Sequence, residues 1–311
     1  MIVYHGIDCD GWFSAALLIS YDKSLADYMF PADYKGEKEV ADQIIAAIQS
    51  DKPPQKIVIC DFSFLPDAFK AIVGAAKQKN ISVSWFDHHV SSINKLQSIP
   101  EISGLKGVRD PSNKVSAAKL VCDYLGLGDK FGVIIQTVSD YDIFNFDESK
   151  LSEQRAAQFN FGFIYDKVGA QEMVNRALDL LQNPQKIEKY IEIGTMFLKN
   201  YDAQVPMYLK DLERGEFEGK KYALVNSTEK IGAQLAQKIF HEVDFVIIWK
   251  AVSGKRAQLF LTSSKKGNTD VSVIAQRISA VCGVTGGGGH KNAAGAVVPL
   301  KKFVNFFDPE A

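Results

Sequence analysis

The chain has 311 residues, more than one hydrophobic core usually serves, and with 46% hydrophobic and 23% charged side chains it can fill two domains. Its 36 basic residues stand against 37 acidic ones, a balance that supplies no global field for a long duplex polyanion, so a nucleic-acid partner should be short or held locally. Cys9, Cys60, Cys122 and Cys282 lack the paired spacings of disulfide frameworks and zinc ribbons.

From the N-terminus, Met1-Ile2-Val3-Tyr4-His5 has no basic start ahead of an apolar run, and the longest apolar stretch, Phe245 to Trp249, is too short to span a bilayer. The expectation is a soluble cytoplasmic protein with no membrane partner. Strand-like and helix-like segments then alternate: strand at 2–4, helix at 12–21, strand at 57–60, helix at 69–78, strand at 81–86. That order predicts an α/β fold with a parallel sheet and crossover helices. Helical patterns follow at 115–125, 131–138 and 168–181, and complete a first domain over 1–184. Residues 185–214 read as a connecting helix, with apolar residues at helical spacing between Pro184 and Pro206. A smaller α/β domain over 215–311 is expected to carry strands at 222–226, 244–249, 257–261 and 296–298, helices at 231–240 and 271–281, and a glycine loop before the last strand.

The chemistry-bearing residues gather at the predicted strand ends. His5, Asp8 and Asp10 follow the first strand, Asp61 ends the second, Asp87-His88-His89 ends the third, and Asp140 follows a helical segment. In a parallel sheet the loops at the carboxyl ends of strands form the ligand crevice, so these groups should converge. Converging carboxylates repel one another unless cations neutralise them, and an oxygen and nitrogen donor set without thiolate fits manganese or magnesium. A lone aspartate after a strand is more often a cap or turn residue. Here, however, four of the five histidines, His5, His88, His89 and His290, fall inside the motifs. Asp142 reads as a turn or supporting residue, His241 as a helix end, and the Phe144, Phe146, Phe159, Phe161 and Phe163 group as packing rather than base stacking. Near the C-terminus, Gly286 to Gly289 followed by His290 and Lys291 reads as a place where backbone amides approach an anion.

On these residues the chain resembles the DHH phosphoesterase superfamily, whose name is the triplet Asp87-His88-His89, and its last third resembles that family's associated C-terminal domain, with the glycine-histidine-alanine motif at 287–295. The resemblance implies two divalent cations, manganese first and magnesium or cobalt as alternatives, in the cleft between the domains. His5, Asp8 and Asp61 would hold one ion; Asp10, Asp61, His88 and Asp140 the other; Asp61 would bridge. Asp87, His88 and His89 are the implied catalytic triplet, with His89 beside the scissile phosphate, and Gly287, Gly288, Gly289 and His290 grip a substrate phosphate.

The implied activity is hydrolysis of short single-stranded RNA or DNA, or of linear dinucleotides, to mononucleotides. A RecJ-like single-strand exonuclease, a cyclic-dinucleotide phosphodiesterase and a non-catalytic nucleotide-binding protein are the alternatives, and oligomeric state is left open. Two departures stand out. The first motif is one residue shorter than the His-x-x-x-Asp-x-Asp spacing of the oligoribonuclease and pyrophosphatase branches, and Thr262 stands where relatives often carry a phosphate-contacting arginine.

Overall fold

The structure, a computed structural model, describes residues 1–34, 36–112, 114–228, 232–252 and 254–307. The chain divides into two units, one of residues 1–146 and 154–195, the other of 147–153 and 196–311.

The first unit opens with β1 (Ile2–His5), α1 (Cys9–Tyr21), β2 (Met29–Ala32), α2 (Glu37–Gln49), β3 (Lys56–Cys60), α3 (Pro66–Gln78) and β4 (Ser82–Phe86). All three strand pairings are parallel, in the order β2-β1-β3-β4. Successive strand residues face opposite ways and both faces are buried: Ile2, Tyr4, Val58 and Cys60 join one core, Val3, Ile57, Ile59 and Trp85 the other. This explains why the strands read as unbroken apolar runs rather than alternating ones. Helices α4 (Val90–Leu96), α5 (Pro100–Ser103), α6 (Ala117–Tyr124), α7 (Gly128–Asp142), α8 (Arg155–Phe163) and α9 (Ala170–Gln182) complete the layers. α1, α6, α7 and α9 supply the first core; α2 and α3 supply the second.

Helix α10 (Ile187–Lys210) follows and runs on through Pro206. The second unit then adds β5 (Glu213–Phe217), β6 (Lys220–Asn226), α11 (Gly232–Ile239), β7 (Phe245–Val252), β8 (Arg256–Thr262), α12 (Val271–Val281), β9 (Gly288–His290), β10 (Ala293–Pro299) and α13 (Leu300–Phe307). Ile231, expected to open a helix, lies outside the described residues. The six-stranded sheet has the order β5-β6-β7-β8-β10-β9 and is mixed, with β6 and β7 parallel and the other pairs antiparallel. Thus the α/β class with a parallel N-terminal sheet and a smaller α/β C-terminal unit is the observed fold.

The glycine run departs from the expected loop, because Gly288–His290 pairs with β10 as an edge strand. Gly286, Gly287, Gly288 and Gly289 sit at φ of 133°, 79°, 149° and 140°, backbone that a side chain rarely tolerates. At Gly287 a Cβ would lie 2.7 Å from the Ala275 carbonyl oxygen, and at Gly289 it would lie 2.7 Å from that of Ala293. The run is therefore required by the path of the chain against α12 and β10.

Candidate metal centre

Strands β1 and β3 are neighbours, yet the chain leaves β1 for β2 on one side and then crosses back to β3 on the other. In doubly wound sheets the ligand crevice opens at such a reversal, outside the carboxyl ends of the strands. His5, Asp8, Asp10, Asp61 and the triplet Asp87-His88-His89 lie at that point. His5 ends β1, and Asp8 caps α1, its Oδ1 accepting from the Gly11 amide at 3.1 Å. Asp8 Oδ2 also lies 2.7 Å from His5 Nδ1, so the short Gly6-Ile7 link still joins the two groups. Asp10, in the first turn of α1, is 1% exposed and accepts the amides of Ala117 and Ala118 at 2.7 and 2.8 Å. Those amides open α6, whose N-terminal dipole favours a charged carboxylate there.

Asp61 follows β3 with φ of 55°, the left-handed region that non-glycine residues seldom occupy. Its amide donates to the Phe86 carbonyl at 2.9 Å, fixing the turn. His5 Nδ1 stands 3.6 Å from Asp61 Oδ2, and His88 Nε2 and His89 Nδ1 stand 3.5 and 3.8 Å from Oδ1. None of these is a hydrogen bond, and both buried carboxylate oxygens of Asp61 go without one.

Asp87 has the opposite character. Its Oδ1 accepts from the amides of His88 and His89 at 2.8 and 3.1 Å and lies 2.7 Å from His89 Nδ1, while its Oδ2 accepts from the Ser63 hydroxyl. A carboxylate so satisfied orients its neighbours and has little capacity left for a cation. The backbone behind it is held by Val108 and Asp110, and Arg109 donates to the carbonyls of Ser103, Leu105, Lys106 and Gly107.

Asp140 is not brought to the cluster. Its Oδ1 accepts from the side chains of Gln136 and Asn145, each at 2.8 Å. Asp142 places its Oδ2 3.2 Å from His88 Nε2, in the position of a residue that supports it.

Among the described residues of the first unit, His5-Asp8-Asp61, Asp10-Asp61-His88 and Asp61-Asp87-His89 each bring one ligand atom per residue within 4.8 Å of the others. Asp61 belongs to all three, and in the last of them Asp87 is already taken up by its hydrogen bonds. Burial opposes charging throughout, and the groups resolve this against one another. His5 is held well above the usual imidazole range by Asp8 and Asp61, which outweigh burial, and His88 likewise by Asp142 and Asp61. Burial, with the charges of Asp61 and Asp142, pushes Asp10 well up. Burial also raises Asp142 to about 6, and Asp61 is held well below the carboxylate range by His5 and His88 against its own burial. Protons balance the charge here, and divalent cations would replace them with the same donor atoms. The orphaned oxygens of Asp61 and the all-oxygen-and-nitrogen donor set fit such cations.

In the second unit, the turn between β9 and β10 is stitched to its surroundings. The Lys291 carbonyl accepts from the Val271 amide at 2.8 Å, and the Asn292 side chain donates to Ser263 Oγ and the Ser264 carbonyl, each at 3.1 Å. Thr262 pairs with Ala293 across β8 and β10, so the 262–264 segment borders the glycine-histidine motif. His241 follows α11 and is exposed.

A two-unit α/β protein with a buried aspartate-histidine centre at a sheet reversal is the class these features define. Residues 222–309 match the DHHA1 domain. An uncharacterized protein of Acanthamoeba polyphaga mimivirus is 22% identical over 95% of this chain, and the chain spans 66% of that protein's length, just under two thirds. Among solved structures, CDC45 of Entamoeba histolytica shares the fold at a TM-score of 0.56 and 10% identity, over 98% of this chain and 93% of that one. A pGpG-specific phosphodiesterase of Vibrio cholerae aligns at a TM-score of 0.49 and 12% identity, over 100% of this chain and 98% of that one. The family match thus covers the second unit from residue 222 to 309, and the likeness to CDC45 is one of fold.

Proposed function

We propose that the protein is a manganese-dependent phosphoesterase that hydrolyses short single-stranded oligonucleotides or linear dinucleotides to mononucleotides. The observation that carries this reading is Asp61, whose two buried oxygens lack hydrogen bonds and which joins the His5-Asp8-Asp61 group to the Asp10-Asp61-His88 group. His5, Asp8 and Asp61 would hold one cation, and Asp10, Asp61 and His88 the other, with Asp142 beside His88. Two bound cations supply an activated water and stabilise charge at the phosphorus and the leaving oxygen. Asp87 positions His89, whose Nδ1 it engages, leaving Nε2 for the reacting phosphate. Gly287, Gly288, Gly289 and His290 of the DHHA1 domain hold a substrate phosphate. The match over 222–309 supports a nucleotide substrate rather than pyrophosphate, because the pyrophosphate-cleaving branch lacks the glycine-histidine motif.

The test is a hydrolysis screen in manganese against dinucleotides, ten-residue single strands, cyclic dinucleotides and pyrophosphate, repeated with chelator. Dinucleotides should be cut fastest and chelator should stop the reaction. A rate that climbs with strand length supports the RecJ-like alternative, and unchanged turnover in chelator removes the metal reading.

A further inference from the structure

Tyr34 follows β2 on the segment that runs into α2, and none of the sequence motifs includes it. Its ring stacks on buried Phe62, centroid to centroid 4.8 Å with an interplanar angle of 28°. It also lies 5.7 Å from the His5 ring and meets His89 edge-on at 6.4 Å. These histidines approach different oxygens of Asp61, so Tyr34 stands at the rim of the centre beside both. Behind it the aromatic contacts continue inward from Phe62 to Phe64, Phe69 and Trp85. The ring is thus backed by a rigid column, yet Tyr34 remains 49% exposed.

A half-exposed aromatic at the mouth of a charged centre leaves apolar area in water that a small polar residue would not. Phe62 holds one side of the ring, and a second flat partner on the other would complete the stack. Nucleobases stack on such rings without regard to sequence. We infer that Tyr34 is the stacking platform for the nucleobase adjoining the scissile phosphate, a contact that positions the substrate and takes no part in bond cleavage. This rests on the proposed hydrolysis of nucleotides.

The experiment compares a dinucleotide with its analogue bearing an abasic sugar beside the scissile phosphate, using wild type, Tyr34→Ala and Tyr34→Phe, with manganese content measured for each. Wild type and Tyr34→Phe should favour the intact dinucleotide by about 5- to 150-fold in kcat/KM, the range for loss of one stacked base. Tyr34→Ala should treat the two substrates alike, at the abasic rate and with full manganese. In parallel, a dinucleotide carrying 2-aminopurine and a non-hydrolysable methylene linkage should lose fluorescence on binding wild type and Tyr34→Phe but not Tyr34→Ala. An equal fall on both substrates in Tyr34→Ala, or no fall on either, overturns the platform. Wild type inert on every dinucleotide overturns the hydrolase reading instead; the quenching is measured without turnover, and the platform stands or falls on it separately.

Discussion

At Asp61 the backbone is held at a positive φ, which costs a non-glycine residue about 1 to 3 kcal/mol and persists where the surroundings over-determine it. Those surroundings are the Phe86 carbonyl, which takes its amide, and a ring of imidazoles too distant for hydrogen bonds. Asp142 is a second unfavourable placement, an acid in the last turn of α7 where the helix dipole repels negative charge. Both make sense if cations complete the site. Asp61→Asn should abolish binding of both manganese ions. Asp142→Asn should lower kcat/KM by about 10- to 100-fold, as loss of a partner beside a metal ligand does. Asp140→Asn should stay near wild type. Steady-state kinetics with metal analysis decides it, and a silent Asp142→Asn beside a crippled Asp140→Asn would reverse the assignment. The sequence could not separate these aspartates: two residues apart on a helix they point to nearly opposite sides, and only packing selects one. Ser63 and the amides of Ala117 and Ala118 were equally invisible, since a hydroxyl or a main-chain donor carries no motif.

Elements were legible where burial left a periodic trace. β1, β3 and β4 read as strands because both their faces are covered. α2 carries a stripe of the same kind, with Ala41, Ile44 and Ile48 buried on one face. β2 carries Pro31 and lies on the sheet edge, and β5 is mostly polar on an edge of its own, so neither resembles a core strand. The crossing of α8 and α10 was also beyond pattern reasoning. At Gly162 an added Cβ would lie 1.7 Å from the Tyr190 carbonyl oxygen, and at Gly194 it would lie 1.7 Å from that of Gln158. The two helices touch backbone to backbone, and no side chain can yield there. Gly162→Ala should therefore destabilise the protein by about 3 kcal/mol, the upper end of the usual overpacking cost, measured by denaturant unfolding. The folded fraction should keep its manganese, since neither glycine belongs to the donor groups. A midpoint equal to wild type would show that the helices part more easily than this contact implies.

Across the whole molecule, acids and bases nearly cancel, with 36 basic and 37 acidic residues, so selectivity for a phosphate-bearing substrate has to come from local devices. The sequence divides them: His5, Asp8, Asp10, Asp61 and His88 belong to the first unit, and the glycine run with His290 to the second. If the proposed roles are right, manganese and nucleotide stabilise different parts of the chain, because a ligand that binds only the native form adds RT ln(1 + [L]/Kd) to its stability. Manganese at 100 times its Kd then contributes about 2.7 kcal/mol, which for a unit of this size corresponds to a rise of about 5 to 10 °C in melting temperature. Calorimetry should show that rise for wild type and for His290→Ala, and its absence in Asp61→Asn. Mononucleotide added in chelator should raise the melting temperature of wild type and of Asp61→Asn and leave His290→Ala unmoved. The crossed design matters because either substitution could lower stability on its own, whereas only a ligand-binding role removes one shift and spares the other. Loss of the manganese shift in His290→Ala would mean that the histidine serves the metals, and the division of labour between the two units would fall.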